Sequence, residues 1–180
     1  MHVVAYSLLS ASHSQTDKSL AVPDFEVAQE IARAITFEKY GSDAVVKQFP
    51  FVGKKSGSKW LLRGDSPITE FYAVMSQEIA IEIDAKSGRI QSLQFSTLYE
   101  GDIIAKAETA EAIAHAIGSR KFGKSAMRRS FPASVVLRDG IWEFRQLRDV
   151  PDRLNPTDGA VRIQLRASDG SLVLAERKKA

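Results

Sequence analysis

The sequence predicts an α+β protein made of two tandem copies of one unit, and three observations carry that prediction. Residues separated by a constant offset of 82 match across the chain: Ile31-Ala32-Arg33-Ala34-Ile35 falls on Ile113-Ala114-His115-Ala116-Ile117, Trp60 on Trp142, and Phe49-Pro50 on Phe131-Pro132. Tryptophans and Phe-Pro pairs are rare enough that one gapless register across both implies an internal repeat. Each copy then passes from a helical apolar spacing to short alternating runs punctuated by glycines, the pattern of a helix packed on an antiparallel meander.

In the first copy, apolar positions recur at three- and four-residue steps through Asp24–Ile35, with Asp24 as the expected N-cap. The second copy repeats this through Thr109–Ile117, with Thr109 in the same role. Gly41 and Gly123 are placed to end the two helices. Turns are expected at Ser56-Gly57, Ser87-Gly88, Asp139-Gly140 and Asp169-Gly170. The runs Ile79–Asp84 and Val161–Arg166 alternate, so one face of each is buried and one is wet. The wet faces differ in sign, with Glu82 and Asp84 in the first copy where the second has Gln164 and Arg166. Trp60 and Trp142 read as core anchors. The expected organisation is a flexible start or signal remnant at 1–22, a first unit at 23–95, a linker at 96–107 and a second unit at 108–180.

With 44% hydrophobic residues in 180, the chain has enough apolar material for one core or two small ones. It has no cysteine, which removes disulfides and thiol chemistry. The net charge of +3 is uneven: residues 1–107 carry 11 Lys/Arg and 13 Asp/Glu, whereas 108–180 carry 14 and 9. No apolar run reaches the ~18–20 residues that span a bilayer. The start, Met1 to Ser12, has an apolar core and small-residue end but no basic leader. A cytoplasmic location is favoured, with a periplasmic one following if residues 1–12 are a truncated signal peptide.

Gly118-Ser119-Arg120-Lys121-Phe122-Gly123-Lys124-Ser125 fits the phosphate-loop pattern, yet a helix precedes it instead of a strand, and Phe131-Pro132 leaves little room for a helix after it. The segment therefore reads as a cationic helix end matched to the helix dipole. His2, His13 and His115 form no metal-binding spacing, and His115, aligned with Arg33, is expected on a solvated helix face. Arg128-Arg129 with Lys121 and Lys124 lacks the interleaved aromatics of a base-stacking surface, so no nucleic-acid partner is expected. The enzymatic alternative uses Glu82 and Asp84 as an acid/base pair in a cleft near Trp60 or Trp142. Charged residues on the wet side of a strand are the commoner explanation.

The second copy resembles the bacterial immunity-protein families with an NTF2-like, cystatin-like plan. The resemblance lies in Glu111-Ala112-Ile113-Ala114, Phe122-Gly123, Phe131-Pro132, Asp139-Gly140-Ile141-Trp142, and the closing Asp158–Ile163 and Ser168–Leu172. It covers about 108–177 and extends more faintly to 24–95. Where the family has glycine after its tryptophan strand, this sequence has Gly64 in the first copy and Gln146 in the second. The resemblance implies a non-catalytic protein, without cofactor or metal, that binds a cognate toxin and neutralises it by occlusion. Ile81–Ile90 also resembles the closing hairpin of PepSY-type modules, which implies a periplasmic inhibitory or regulatory binding module instead. For either binder, the loops that break the repeat are the expected contact surface: Asp65, Glu70 and Tyr72 in one, and Arg148, Asp152, Arg153 and Asp158 in the other.

Overall fold

The computed structural model describes residues 19–64, 78–94, 101–128, 133–146 and 160–178. Its elements follow the order helix, short helix, four strands, helix, four strands: α1 Phe25–Tyr40, α2 Ser42–Val46, β1 Val52–Ser56, β2 Lys59–Arg63, β3 Ala80–Asp84, β4 Ile90–Gln94, α3 Ala107–Phe122, β5 Ala133–Arg138, β6 Ile141–Gln146, β7 Val161–Arg166 and β8 Leu172–Arg177. Each set of four strands is an antiparallel meander in chain order. The expected α+β plan of two helix-plus-meander units is what the chain forms.

The helices arise where the spacing placed them. Val27, Ala28, Ile31, Ala32 and Ile35 form the buried stripe of α1, and Ala110, Ile113, Ala114 and Ile117 that of α3. Asp24 caps α1 by accepting from Val27 N at 3.1 Å. Thr109 does not cap α3: the helix begins two residues earlier, at Ala107, and Thr109 is buried within its first turn. Gly41 and Gly123 end α1 and α3 with φ of 79° and 92°, a region closed to most side chains.

Both tryptophans are core anchors held in the same way. Trp60 Nε1 donates to Val22 O at 2.9 Å, and Trp142 Nε1 donates to Ile104 O at 2.8 Å. These bonds tie the segments ahead of each helix to the sheets. Ala21 and Val22, just ahead of residue 23, lie in the core. The end of the 96–107 segment is likewise structural, since Ile104 is fully buried and bonds through its N–H to Ala167 O at 2.9 Å.

The two units share one core, running from Ala21 to Ala167. Helices α1 and α3 pack together, each also touching its own sheet. At the other side of the junction the β3–β4 and β7–β8 turns exchange bonds: Ile90 N donates to Asp169 O at 2.8 Å, and Leu172 N donates to Ser87 O at 2.7 Å. Residues 90 and 172, and 87 and 169, are counterparts at the repeat offset of 82, so the units meet about an approximate two-fold axis. The helix ends obey the same symmetry with reversed charge. Arg120 Nε meets Asp24 Oδ2 at 2.6 Å at the start of α1. Their counterparts are Glu38 and Lys106, and there Glu38 Oε1 and Oε2 accept the N–H groups of Ala105 and Lys106 at 2.9 and 3.3 Å at the start of α3.

Candidate partner-binding faces

With one side of each sheet committed to the core, its other side is the surface on offer. Pairing across the first sheet sets its outer residues in rows: Ser56, Lys59 and Asp84; Lys54, Leu61, Glu82 and Ser92; Val52, Arg63, Ala80 and Gln94. The last two rows line a groove of about 450 Å³. Lys59 Nζ lies 3.5 Å from Glu82 Oε2. Asp84 is bound into its own turn, accepting from Ser87 N and Oγ at 2.8 and 2.7 Å. Burial works against the Asp84 charge, but these bonds outweigh it and hold the carboxyl below its ordinary range. The two carboxylates of the enzymatic alternative are thus occupied separately, one by a lysine across the strand and one by a turn.

The outer face of the second sheet carries different residues in the same frame. Its rows are Arg138, Ile141 and Arg166; Val136, Glu143, Gln164 and Leu174; Ser134, Arg145, Arg162 and Glu176. Glu143 organises the middle, receiving Arg162 Nη2 at 2.5 Å, Gln164 Nε2 at 2.7 Å and Arg145 Nε at 2.5 Å. The Arg162 bond leads these in holding the carboxyl at about 2 against the cost of burial. Arg162 also reaches Glu176 at 3.5 Å. At the row nearest the Asp139-Gly140 turn, Arg138 and Arg166 are exposed on either side of Ile141.

A third depression, of about 680 Å³, runs between the start of α1 and the end of α3, lined by Glu26, Glu30, Ala112, His115, Ser119 and Lys124 among others. His115 is not on a solvated face, as expected from Arg33; it is buried, with its ring edge-on to Phe144 at 5.3 Å. Phe144 replaces Leu62 of the first unit and supplies an aromatic surface that an imidazole can cover. The phosphate-loop resemblance dissolves here too. Gly118 lies inside α3 and is a packing glycine: a Cβ there would meet Met127 Cε at 2.6 Å and Ile163 Cδ1 at 2.9 Å.

Asp65, Glu70, Tyr72, Arg148, Asp152, Arg153 and Asp158 all lie outside the described residues. Their segments leave the sheets at equivalent places, between β2 and β3 and between β6 and β7. Those points adjoin the Arg63–Ala80 row of the first sheet and the Arg145–Arg162 row of the second. The arginine row of the second sheet was not singled out by sequence, although the changed sign of the wet face at residues 82–84 and 164–166 pointed toward it. Among the described residues no cluster of metal-ligating side chains occurs, and no helix is long and apolar enough to cross a membrane.

Among known proteins, the family model described as NTF2 fold immunity protein matches residues 27–96. No curated protein and no solved structure matches the chain. The match falls on the first unit, whereas the sequence resemblance was carried mainly by the second. The residues that carried it are largely core and turn positions, such as Trp142 and Gly170, which the first unit shares as Trp60 and Gly88. Over residues 27–96 the chain is thus similar to the NTF2 fold immunity proteins, and the unit that follows is built on the same plan.

Proposed function

We propose that the protein is a non-catalytic immunity protein that binds a cognate toxin in the cytoplasm and neutralises it by occlusion. The observation that carries this reading is the family match on 27–96, which runs from within the first turn of α1 through β4 and so covers nearly all of one helix-plus-meander unit. The geometry is compatible with it. Two outer sheet faces project away from a shared core, and each borders a long inter-strand segment free of the repeat. A stable occluding complex buries ~1,200–2,000 Å² in total. One four-stranded face spans only ~20 Å by ~20 Å from strand spacing and rise, so an occluding contact of that size has to extend beyond a single face.

The test is co-expression with each protein encoded by the neighbouring reading frames, scored as growth rescue from any that proves toxic and as co-purification of a stoichiometric complex. Alanine substitutions at Asp65, Glu70, Tyr72, Arg148, Asp152, Arg153 and Asp158 should weaken the complex without unfolding the protein. If rescue requires no complex, or if the purified protein chemically alters the toxin, occlusion is wrong.

A further inference from the structure

We infer that the outer face of the β5–β8 sheet docks an acidic protein surface, one that presents two carboxylates about 10 Å apart on either side of an apolar side chain. The inference rests on the reading of the protein as a binder and names the chemistry of the partner at one face.

The row Arg138, Ile141 and Arg166 supplies the argument. The three residues pair in register across β5, β6 and β7, so they share the outer face. Two strand spacings separate the arginines, about 10 Å between their Cα atoms. Both are exposed, and no carboxylate among the described residues pairs with either. The carboxylates of the next two rows are already engaged, Glu143 by Arg145, Arg162 and Gln164, and Glu176 by Arg162.

The first unit shows what the same row looks like without this demand. There the positions hold Ser56, Lys59 and Asp84, with Lys59 directed to Glu82 and Asp84 consumed by its turn. That row neutralises itself locally; the second unit has arginine, isoleucine and arginine. The face also carries Val136, which is 41% exposed. Arginine beside partly exposed aliphatic groups is the composition of interface centres, because a guanidinium can pair with a carboxylate while the aliphatic neighbours exclude water. The clamp on Glu143 holds the middle of the sheet in one geometry, which reduces the ordering cost of docking.

The probe is a labelled helical peptide with Glu at positions i and i+7 and Leu at i+3, which spaces its carboxylates by about 10 Å. A second peptide replaces both Glu with Gln, and a single-stranded DNA oligonucleotide is run in parallel. Fluorescence anisotropy with the full chain should show binding of the acidic peptide at low salt, weakening between about 20 and about 200 mM sodium chloride. Arg138→Glu/Arg166→Glu should weaken it by about tenfold or more. Lys47→Glu/Lys86→Glu, at exposed positions outside both sheets, should leave it unchanged, and circular dichroism checks that both variants fold. Absence of binding, equal binding of the Gln peptide, equal binding of DNA, or binding unaffected by the arginine reversal would each overturn the inference. Toxin rescue is scored separately. Rescue that survives the arginine reversal sinks this face while leaving immunity intact, whereas peptide binding without any rescue by the wild-type chain sinks immunity alone.

Discussion

Reversing the Asp24–Arg120 pair tests whether the two units recognise each other through inverted charge. The pair is partly accessible, with side-chain exposures of 29% for Asp24 and 43% for Arg120, at 2.6 Å. At a surface-like effective dielectric, Coulomb attraction at about 4 Å is ~4 kcal/mol before desolvation and side-chain ordering are subtracted, and exposed pairs retain ~0–1 kcal/mol. Partly exposed and close, this one is expected to contribute about 1 kcal/mol. Arg120→Glu removes that and adds a like-charge contact, for a loss of about 2 kcal/mol. Asp24→Lys forfeits the pair and also the cap on Val27 N, again about 2 kcal/mol. The double variant reproduces the arrangement of Lys106 and Glu38 at the other helix junction, with lysine before the helix and glutamate across from it. There Glu38 satisfies two backbone N–H groups at the start of α3, so the introduced glutamate is expected to do the same at the start of α1. Urea denaturation of the four proteins should give a coupling energy of about 1–2 kcal/mol, with the double variant more stable than either single one. Additivity within about 0.5 kcal/mol would refute the reasoning.

Other expectations follow from the same geometry. Trp60→Phe and Trp142→Phe each orphan a buried carbonyl and leave a void, and each should cost about 2–4 kcal/mol; a large disparity in thermal denaturation would show that the two anchors are not equivalent. Gly118→Thr drives a side chain into Met127 and Ile163 and should cost about 2 kcal/mol, with much of it recovered by adding Met127→Val, which recreates the Thr36 and Val45 combination of the first unit. A urea midpoint that the second substitution fails to raise would show that the clash lies elsewhere. Acid should destabilise the fold through Glu38 and Glu143. Burial opposes the charge of Glu38, but bonds from Thr109, Lys39 and Ala105 N outweigh it and lower its pKa, while Glu143 sits at about 2. Depressed carboxyls contribute stability that is fully present above the ordinary value of 4.5 and lost as pH falls through the folded values. Glu38→Gln should therefore flatten the urea midpoint against pH below about 4.5, and an unchanged slope would exclude Glu38 as a contributor.

The elements that the sequence made legible are those whose residue types have one physical use. A tryptophan repeated beside turn glycines has to anchor a core, and both do so with the same indole bond to a backbone carbonyl. Asp139-Gly140 had to be a tight turn, and both residues take positive φ, at 50° and 73°. His115 misled because its counterpart is arginine, and the offset alone does not show that Phe144 replaces Leu62 beneath it. The start of α3 misled because its N-cap position holds Lys106, which makes no side-chain cap bond, and the residues leading into the helix are held by Glu38 of the other helix, far away in sequence. The arginine row required strand register, which aligns Arg138, Ile141 and Arg166 only once β5, β6 and β7 are paired.

Substitutions made in pairs explain why the copies diverged without losing their common frame. In the first unit, Gly64 leaves room for Gln48, whose Oε1 accepts from Ile79 N at 2.7 Å; a Cβ on Gly64 would lie 2.2 Å from that oxygen. In the second unit the counterpart of Gly64 is Gln146, and the counterpart of Gln48 is the smaller Ser130. Gln146 is buried and donates to Arg128 O, while pairing across the sheet with Val161, the counterpart of Ile79. A glutamine is therefore buried near the same edge in both units, from the segment before β1 in one and from β6 in the other, but only Gln48 bonds the strand across from it, and Gln146 Oε1 has no hydrogen-bond partner among the described residues. Thr36 with Val45, against Gly118 with Met127, repeats the pattern inside the helices. Taken singly, each change breaks the motif: a glycine lost after the tryptophan strand, or a glycine gained within a helix. Taken as pairs they roughly keep the side-chain volume at each contact, whereas Arg138, Ile141 and Arg166 differ from Ser56, Lys59 and Asp84 on the outer face, where no core volume has to be kept.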